Sequence, residues 1–367
     1  MFNHIYRQRR VLVTGHTGFK GSWLMAWLHR LQADALGVSL PAPADQPCHL
    51  DLLALPGAKS AIVDIRDLAA LRNVIRAFDP EIVFHLAAQP LVRLSYQIPI
   101  ETLATNVMGT AHVLEACRKA PSLRAIVAIT SDKCYENSER EEPYNEQDPV
   151  GGYDPYSVSK GCSELIISAW RRSFFHPDDL GLSHHVLLAS ARAGNVVGGG
   201  DWAADRLIPD LVRAAAAGKP AVIRNPQAIR PWQHVLEPLA GYLLLGQKLH
   251  ERQIACATAW NFGPDADGMV AVQTAAEHLA RHWPDIQLTT AAAATAKAPH
   301  EANILRLDCT KAKNELQWRP VWNPDQTFRH TACWYRDFYA KGKINTFADL
   351  DEYISDASNL NLPWTKD

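Results

Sequence analysis

The stretch Val11-Leu12-Val13-Thr14-Gly15-His16-Thr17-Gly18-Phe19-Lys20-Gly21-Ser22-Trp23-Leu24 decides the fold. An apolar, β-branched run leads into three glycines spaced GxxGxxG, and a helical run follows whose core face holds Trp23, Leu24 and Trp27. Strand, glycine turn and helix in that order form a dinucleotide-binding turn. One glycine permits the tight bend, one lets the backbone approach a pyrophosphate, and one lets helix and strand pack closely. The helix N-terminus adds amide donors and a favourable dipole. The spacing differs from GxGxxG, and the plain alternative is an ordinary strand-to-helix turn. Gly15, Thr17, Gly18, Phe19, Lys20 and Gly21 are the candidate cofactor contacts.

Outward from this turn, short β-branched runs alternate with longer amphipathic stretches as far as residue 191, the pattern of βαβ units building a parallel sheet. Strands are predicted at Val11–Thr14, Ala35–Ser39, Ser60–Val63, Ile82–Leu86, Ala125–Thr130 and Val186–Arg192. Helices are predicted at Trp23–Leu31, Asp67–Phe78, Thr102–Lys119 and Ser157–Ser173. The fold class is therefore α/β, a Rossmann-type doubly wound sheet. Pro41, Pro43, Pro47 and Pro56 make the region after the second strand a loop. After Gly194 the alternation breaks down, so residues 1–193 are read mainly as the dinucleotide domain and 194–367 mainly as a smaller substrate lobe. Leu236–Leu249 and Val270–His282 read as helices, Trp260–Phe262 as a strand returning to the sheet, and the Ala-rich 291–298 as a loop or frayed helix.

The acidic residue that ordinarily closes the second strand and binds the adenosine ribose is missing, since Val38 is followed by Ser39 and Leu40. No Arg stands there for a 2′-phosphate, so NAD is preferred over NADP. Asp64 and Ile65, after the third strand, form a candidate adenine-facing edge, while Asp67 suits a helix cap. Tyr156 and Lys160 lie four apart, on one face of a helix that begins after Pro155. A phenol with a pKa near 10 is a poor base at neutral pH, and an adjacent ammonium favours the phenolate. The pair thus suits proton removal during hydride transfer.

Composition narrows the class further. The chain has 367 residues and a formal charge of −2, with no Lys/Arg cluster of the kind that tracks phosphates, which argues against a nucleic-acid partner. A core of this size fits one large domain with an added lobe, because single cores stop growing near roughly 250–300 residues. The 7 cysteines, at 48, 117, 134, 162, 256, 309 and 333, show no CxxC pairing or metal-ligand spacing. Reduced thiols, a cytoplasmic location, no bound metal and no membrane association are expected.

Together with the glycine turn, His85-Leu86-Ala87-Ala88-Gln89, Asn106-Val107-Met108-Gly109-Thr110, Ser131 and Tyr156/Lys160 resemble the extended short-chain dehydrogenase/reductases, the NAD-dependent epimerase/dehydratase family, over most of the chain. The strings GHTGFKGSWL, LAAQPLVRLSY, TSDKCYEN, GGYDPYSVSKGCSEL, RAGNVVGGGDWA and RPWQHVLEP are similar to the members that dehydrate CDP-glucose. The resemblance implies tightly held NAD, contacted also by Leu86, Ala87, Ala88, Gln89, Asn106, Tyr156 and Lys160. It implies that hydride leaves the sugar C4, water is eliminated across C5 and C6, and hydride returns at C6. Tyr156 would take the C4 hydroxyl proton with support from Lys160, Ser131 would bond that oxygen, and Asp132 would protonate the departing C6 hydroxyl. At Lys133 most 4,6-dehydratases carry Glu as the base for the C5 proton; the CDP-glucose branch shares the Lys, which leaves Tyr135 or a water as other candidates.

For the sugar diphosphate the resemblance implies Arg93, Arg192, Asn195, Arg206, Arg224, Asn225 and Arg230, since two phosphates need convergent cations and amides. The helices at Thr102–Lys119 and Ser157–Ser173 resemble the pair that builds a dimer interface in this family, implying a homo-oligomer, either a dimer or a dimer of dimers. Two other readings stand beside this one. A 4-epimerase, or a dehydratase for another nucleotide, would share most of the motifs, though an epimerase has no need of Asp132 and Lys133. A catalytically silent NAD-binding protein would have no need of Ser131, Tyr156 and Lys160.

Overall fold

The computed structural model describes residues 1–290 and 304–366; the Ala-rich stretch 291–298 lies outside them. Seven strands form the main sheet: β1 (Arg10–Thr14), β2 (Asp34–Ser39), β3 (Lys59–Ile62), β4 (Ile82–His85), β5 (Ala125–Ile129), β6 (Leu187–Ala193) and β7 (Ala259–Phe262). Their order is β7-β6-β5-β4-β1-β2-β3, every neighbour parallel. The runs Ile82-Val-Phe-His85 and Ala125-Ile-Val-Ala-Ile129 are buried along their whole length, as a parallel sheet covered on both faces requires. On one face Val13, Phe84 and Val127 pack with Trp23, Trp27 and Leu243. On the other, Leu12, Val83 and Ile126 pack with Leu71, Leu114 and Ile167. The helices that supply these layers are Phe19–Arg30 and Leu236–His250 on the first face, and Leu68–Phe78, Gly109–Cys117 and Pro155–Ser173 on the second.

Strand order reverses at β1, which has β2 on one side and β4 on the other. The loops leaving β1 and β4 therefore diverge at their carboxyl ends and open a crevice, the place where sheets of this kind bind ligands. Gly15 and Leu86, the first residues past those strands, stand on its two sides.

Two elements differ from the sequence reading for physical reasons. The predicted continuous helix at 102–119 runs as Pro99–Leu103, a π-turn at Ala104–Met108, and Gly109–Cys117. At the wide turn the Asn106 amide leaves the helix to bond Gln89 and Ser159. The proline-rich loop is interrupted by a short helix, His49–Leu53, because His49 is drawn inward to bond Ser22 at 2.8 Å and Thr346 at 2.8 Å.

The remaining strands build the lobe over the crevice. Asn195–Val197, Ile229–His234 and Met269–Ala271 form a mixed sheet, and Ala221–Ile223 pairs with Leu288–Thr290. Among the described residues no helix is long and apolar enough to cross a membrane.

The glycine turn is packed to its limit. A Cβ on Gly21 would lie 2.1 Å from the Gly15 carbonyl oxygen and 2.7 Å from His16 Cα, both backbone atoms with nowhere to move. Gly21→Ala is accordingly expected to destabilise the fold by about 3 kcal/mol, the upper range for overpacking. Thermal denaturation checks this, and an unchanged Tm would contradict the close approach of helix and strand.

Candidate active site

A cleft of about 900 Å³ runs from the crevice into the lobe. Gly15 takes a left-handed φ of 77°, and a Cβ there would meet the Ala87 amide nitrogen at 2.7 Å. Gly18 caps the helix Phe19–Arg30 and faces open space apart from the Gly15 oxygen. The unpaired amides of that helix's first turn therefore lie at the cleft wall. Lys20 reaches into the same space, where burial, helped by the charges of Lys160 and Arg206, lowers its pKa to about 8. A buried lysine further weakened by two other cations of the same cleft fits an anionic occupant such as a dinucleotide pyrophosphate.

The outer end of this half is lined by Thr17, Ser39, Asp64 and Ile65. Thr17 and Ser39 pair their hydroxyls at 3.0 Å. Asp64 accepts two bonds from Arg66, at 2.6 and 2.9 Å to one oxygen, and this contact holds its pKa below the usual carboxylate range. Asp67 caps the next helix through the Ala70 amide. Leu86, Ala87 and Ala88 line the cleft, whereas Gln89 and Asn106 lie behind that wall. The Asn106 carbonyl accepts the Gln89 amide at 2.7 Å, and its NH₂ donates to the Gln89 oxygen and to Ser159 Oγ. The side chain clips the turn after β4 to the helix carrying Tyr156 and has no donor to spare for a ligand.

At the carboxyl end of β5 the chain turns sharply through Ser131, Asp132 and Lys133. Ser131 Oγ donates to Asp132 Oδ1 at 2.9 Å and accepts the Lys133 amide at 3.2 Å. Asp132 is 2% exposed, and its Oδ2 is buried with no hydrogen-bond partner among the described residues. Burial raises its pKa, against the opposing pull of Lys133, Ser131, Arg230 and Lys20.

Tyr156 begins the facing helix, whose first turn is fixed by the Asp154 cap on the Ser157 amide and by Ser95 Oγ accepting the Tyr156 amide at 3.1 Å. Burial pushes the phenol up to about 12, while a hydrogen bond with Ser131 and the charge of Arg206 pull against it. Arg206, held by Asp201 at 2.8 Å, is thus a cation acting on the phenol that the YxxxK spacing did not predict. Lys160, one turn on, is lowered to about 8 by burial, with Cys134 and Glu164 opposing.

Toward the lobe, Arg93, Asn195, Arg206, Arg224, Asn225 and Arg230 all line the cleft. Arg224 bonds Asp205 at 2.7 Å and Asp210 at 3.0 Å. Arg230 acts on Asp132, which places its charge near the β5 turn. Arg192 corrects the sequence reading. It points away from the cleft into the layer beneath, paired with Glu164 at 2.8 Å, because in the buried strand β6 it shares a face with Ser190, which bonds the same carboxylate. His234 is packed among Trp23, Trp322 and His330, and burial holds it neutral.

Ser95, Asp201 and Glu164 lie within the quoted strings but were given no role there; for Glu164 the signal was its place in the four-residue spacing of Tyr156 and Lys160. Among the described residues no group of three or more His, Cys, Asp or Glu side chains could hold a metal ion.

A dinucleotide crevice joined to a Ser/Asp/Lys turn and a Tyr/Lys helix defines a class, and residues 12–331 match the GDP-mannose 4,6 dehydratase family; the chain belongs to it. Within that family it is 49% identical, over 96% of its length and 98% of the relative's, to the CDP-glucose 4,6-dehydratase of Salmonella typhimurium. It is 28% identical to the dTDP-glucose 4,6-dehydratase of Haemophilus influenzae, over 89% of this chain and 97% of that one. Among solved structures, the fold is similar to a dTDP-glucose 4,6-dehydratase from Streptomyces venezuelae crystallised with NAD and TYD. The TM-score is 0.74 at 21% identity, over 89% of this chain and 97% of that one. It is also similar to an epimerase from Methanothermobacter thermautotrophicus, with a TM-score of 0.77 at 22% identity, over 92% and 95%.

Proposed function

We propose that this chain is a CDP-glucose 4,6-dehydratase, converting CDP-glucose to CDP-4-dehydro-6-deoxy-glucose and water. The observation that carries the reading is Asp132, a buried carboxyl with one unpartnered oxygen and a raised pKa beside Ser131 and Tyr156. A proton donor there is needed to expel a hydroxyl and is not needed to epimerise C4. The 49% identity to the Salmonella enzyme supports the choice of nucleotide.

Gly15, Gly18, Lys20, Asp64 and Ile65 would hold NAD, which when bound takes up the C4 hydride and gives it back at C6. Ser131 hydrogen-bonds the C4 oxygen while Tyr156 receives its proton, with Arg206 and Lys160 supplying the positive field that favours phenolate. Once C4 is a ketone the C5 hydrogen is acidic, and Lys133, acting as the free amine, removes it. Asp132 protonates the C6 hydroxyl, which departs as water and leaves a C5–C6 double bond; when hydride returns at C6, the Lys133 ammonium gives its proton back to C5. Arg93, Arg224 and Arg230, with Asn195 and Asn225, take the nucleoside diphosphate; for Arg224 this means leaving Asp205 and Asp210.

Incubation with CDP-glucose, and with dTDP-glucose and GDP-mannose in parallel, tests the reading through the alkaline ultraviolet absorbance of a 4-keto-6-deoxy sugar. CDP-glucose alone should give it readily, and silence with all three contradicts the dehydratase reading. The Lys133 assignment has its own test in heavy water. Lys133→Ala is expected to form no product and to leave C5 of recovered CDP-glucose unlabelled, whereas normal deuterium uptake would give the role to another group.

We further propose a homodimer packed through residues 99–117 and 155–173. Ile100, Met108 and Leu165 are 72%, 51% and 59% exposed along these helices, an apolar set more typical of an interface than of open surface. Sedimentation should give a dimer for the wild type and a monomer for Leu165→Glu; a monomeric wild type contradicts it.

A further inference from the structure

The turn carrying Ser131, Asp132 and Lys133 is bracketed by Thr130 and Tyr135, and both are tied to one ion pair beneath it. Glu164 accepts a short hydrogen bond from the Thr130 hydroxyl on one oxygen. On the other it accepts Ser190 Oγ and Arg192 Nη2, each at 2.8 Å. Arg192 Nη1 donates to the Tyr135 hydroxyl at 2.8 Å, which donates in turn to Asn261 Oδ1 at 2.7 Å. The side chains of both ions are 5% exposed and outside the cleft lining.

Glu164 sits one helical turn beyond Lys160 and two beyond Tyr156, so the helix that presents the proton acceptor also holds the anchor of the opposite wall. Helix and turn are in close contact: a Cβ on Gly161 would lie 2.6 Å from the Gly151 carbonyl oxygen and 3.4 Å from that of Cys134. Stability alone does not account for a buried ion pair here, because well-packed apolar residues of similar volume are often as stable or more so. What such residues cannot do is hold Thr130 and Tyr135 in fixed positions by directed hydrogen bonds.

We propose that Glu164 and Arg192 are positioning residues that fix the Ser131–Asp132–Lys133 turn at both ends against Tyr156 and Lys160. The pair touches neither substrate nor cofactor and acts on the reaction through geometry. This rests on the function proposed above.

The test compares the loaded wild-type enzyme with Glu164→Gln, the double variant Glu164→Met/Arg192→Met, and Glu237→Gln as a buried carboxylate outside the cleft. Glu164→Gln is expected to lower kcat about 10²-fold, the cost of misplacing reacting groups by about 1 Å, with KM for CDP-glucose within about threefold of wild type. The apolar double variant should regain Tm to near the wild-type value yet keep the 10²-fold loss in kcat, while Glu237→Gln loses Tm with kcat largely retained. Recovery of kcat together with Tm in the double variant overturns the proposal, as does a kcat unaffected by any substitution at 164 or 192. A crystal structure of the double variant gives the readout that needs no activity. The turn at 131–133 should be displaced by about 1 Å against an unchanged sheet, and an undisplaced turn overturns the proposal. If wild type makes no product from CDP-glucose, the functional reading fails on its own and the crystallographic comparison decides the positioning claim.

Discussion

Tyr156→Phe is expected to abolish product formation from CDP-glucose, with kcat falling by about 10³-fold and nucleotide-sugar binding retained. The substitution removes one hydroxyl from a buried ring and leaves the packing of the helix Pro155–Ser173 in place. What disappears is the proton acceptor that Ser131 and Arg206 bias toward phenolate against the opposing effect of burial. A loss of 10³ corresponds to about 4 kcal/mol of transition-state stabilisation, reasonable for one positioned acid-base group. Because C5 becomes acidic only after C4 is oxidised, the variant should also fail to exchange the C5 hydrogen with heavy water. Titration calorimetry with CDP-glucose, steady-state kinetics and NMR of the recovered sugar check the three parts. Retention of a tenth or more of wild-type kcat would remove Tyr156 from the chemistry.

Asp132→Asn should separate the two halves of the reaction. Asn keeps the shape of the carboxyl and its contact with Ser131 but cannot donate a proton to a leaving hydroxyl, so product formation is expected to fall by about 10²- to 10³-fold. Oxidation at C4 and proton removal at C5 do not pass through Asp132, so CDP-glucose recovered from heavy water should carry deuterium at C5. That combination distinguishes it from Tyr156→Phe, which loses both.

The same substitution has a stability consequence of definite sign. Burial raises the folded pKa of Asp132, so above the unfolded value of about 3.9 the folded state binds more protons than the unfolded one. Wild-type stability therefore declines from this group as pH rises through and above that value, while Asn does not titrate. The Tm of Asp132→Asn should exceed that of wild type at pH 7, and the gap should shrink as the pH is lowered toward 4. Thermal melts across that range measure it; a variant less stable than wild type at pH 7 contradicts the burial of an unpaired acid.

These expectations draw on features that differ in how far apart they lie along the chain. The glycine turn and the Tyr156/Lys160 pair are short-range patterns: three glycines within seven residues and two side chains one helical turn apart. Sequence spacing encodes both directly. The sheet was legible for a related reason, since β4 and β5 are unbroken apolar runs that only a strand buried on both faces tolerates. Arg192 was not legible. Whether a strand cation faces a ligand or the core depends on which side of the sheet finds it a partner, and the partner, Glu164, comes from a helix 28 residues earlier. Asn106 has the same difficulty: its amide is consumed by Gln89, 17 residues away, and Ser159, 53 away. Arg206 and its holder Asp201 lie in a loop with no periodicity, and their approach to Tyr156 arises from the lobe folding back over the sheet.

If one active site oxidises C4 and reduces C6 of the same sugar, net redox is zero and the hydride is conserved. CDP-glucose carrying deuterium at C4 follows that hydride, with the product examined by NMR and mass spectrometry. The expected product is a 4-keto-6-deoxy sugar whose C6 methyl group holds the deuterium that left C4. A product with an unlabelled methyl group, or labelled CDP-galactose in place of a deoxy sugar, would contradict it.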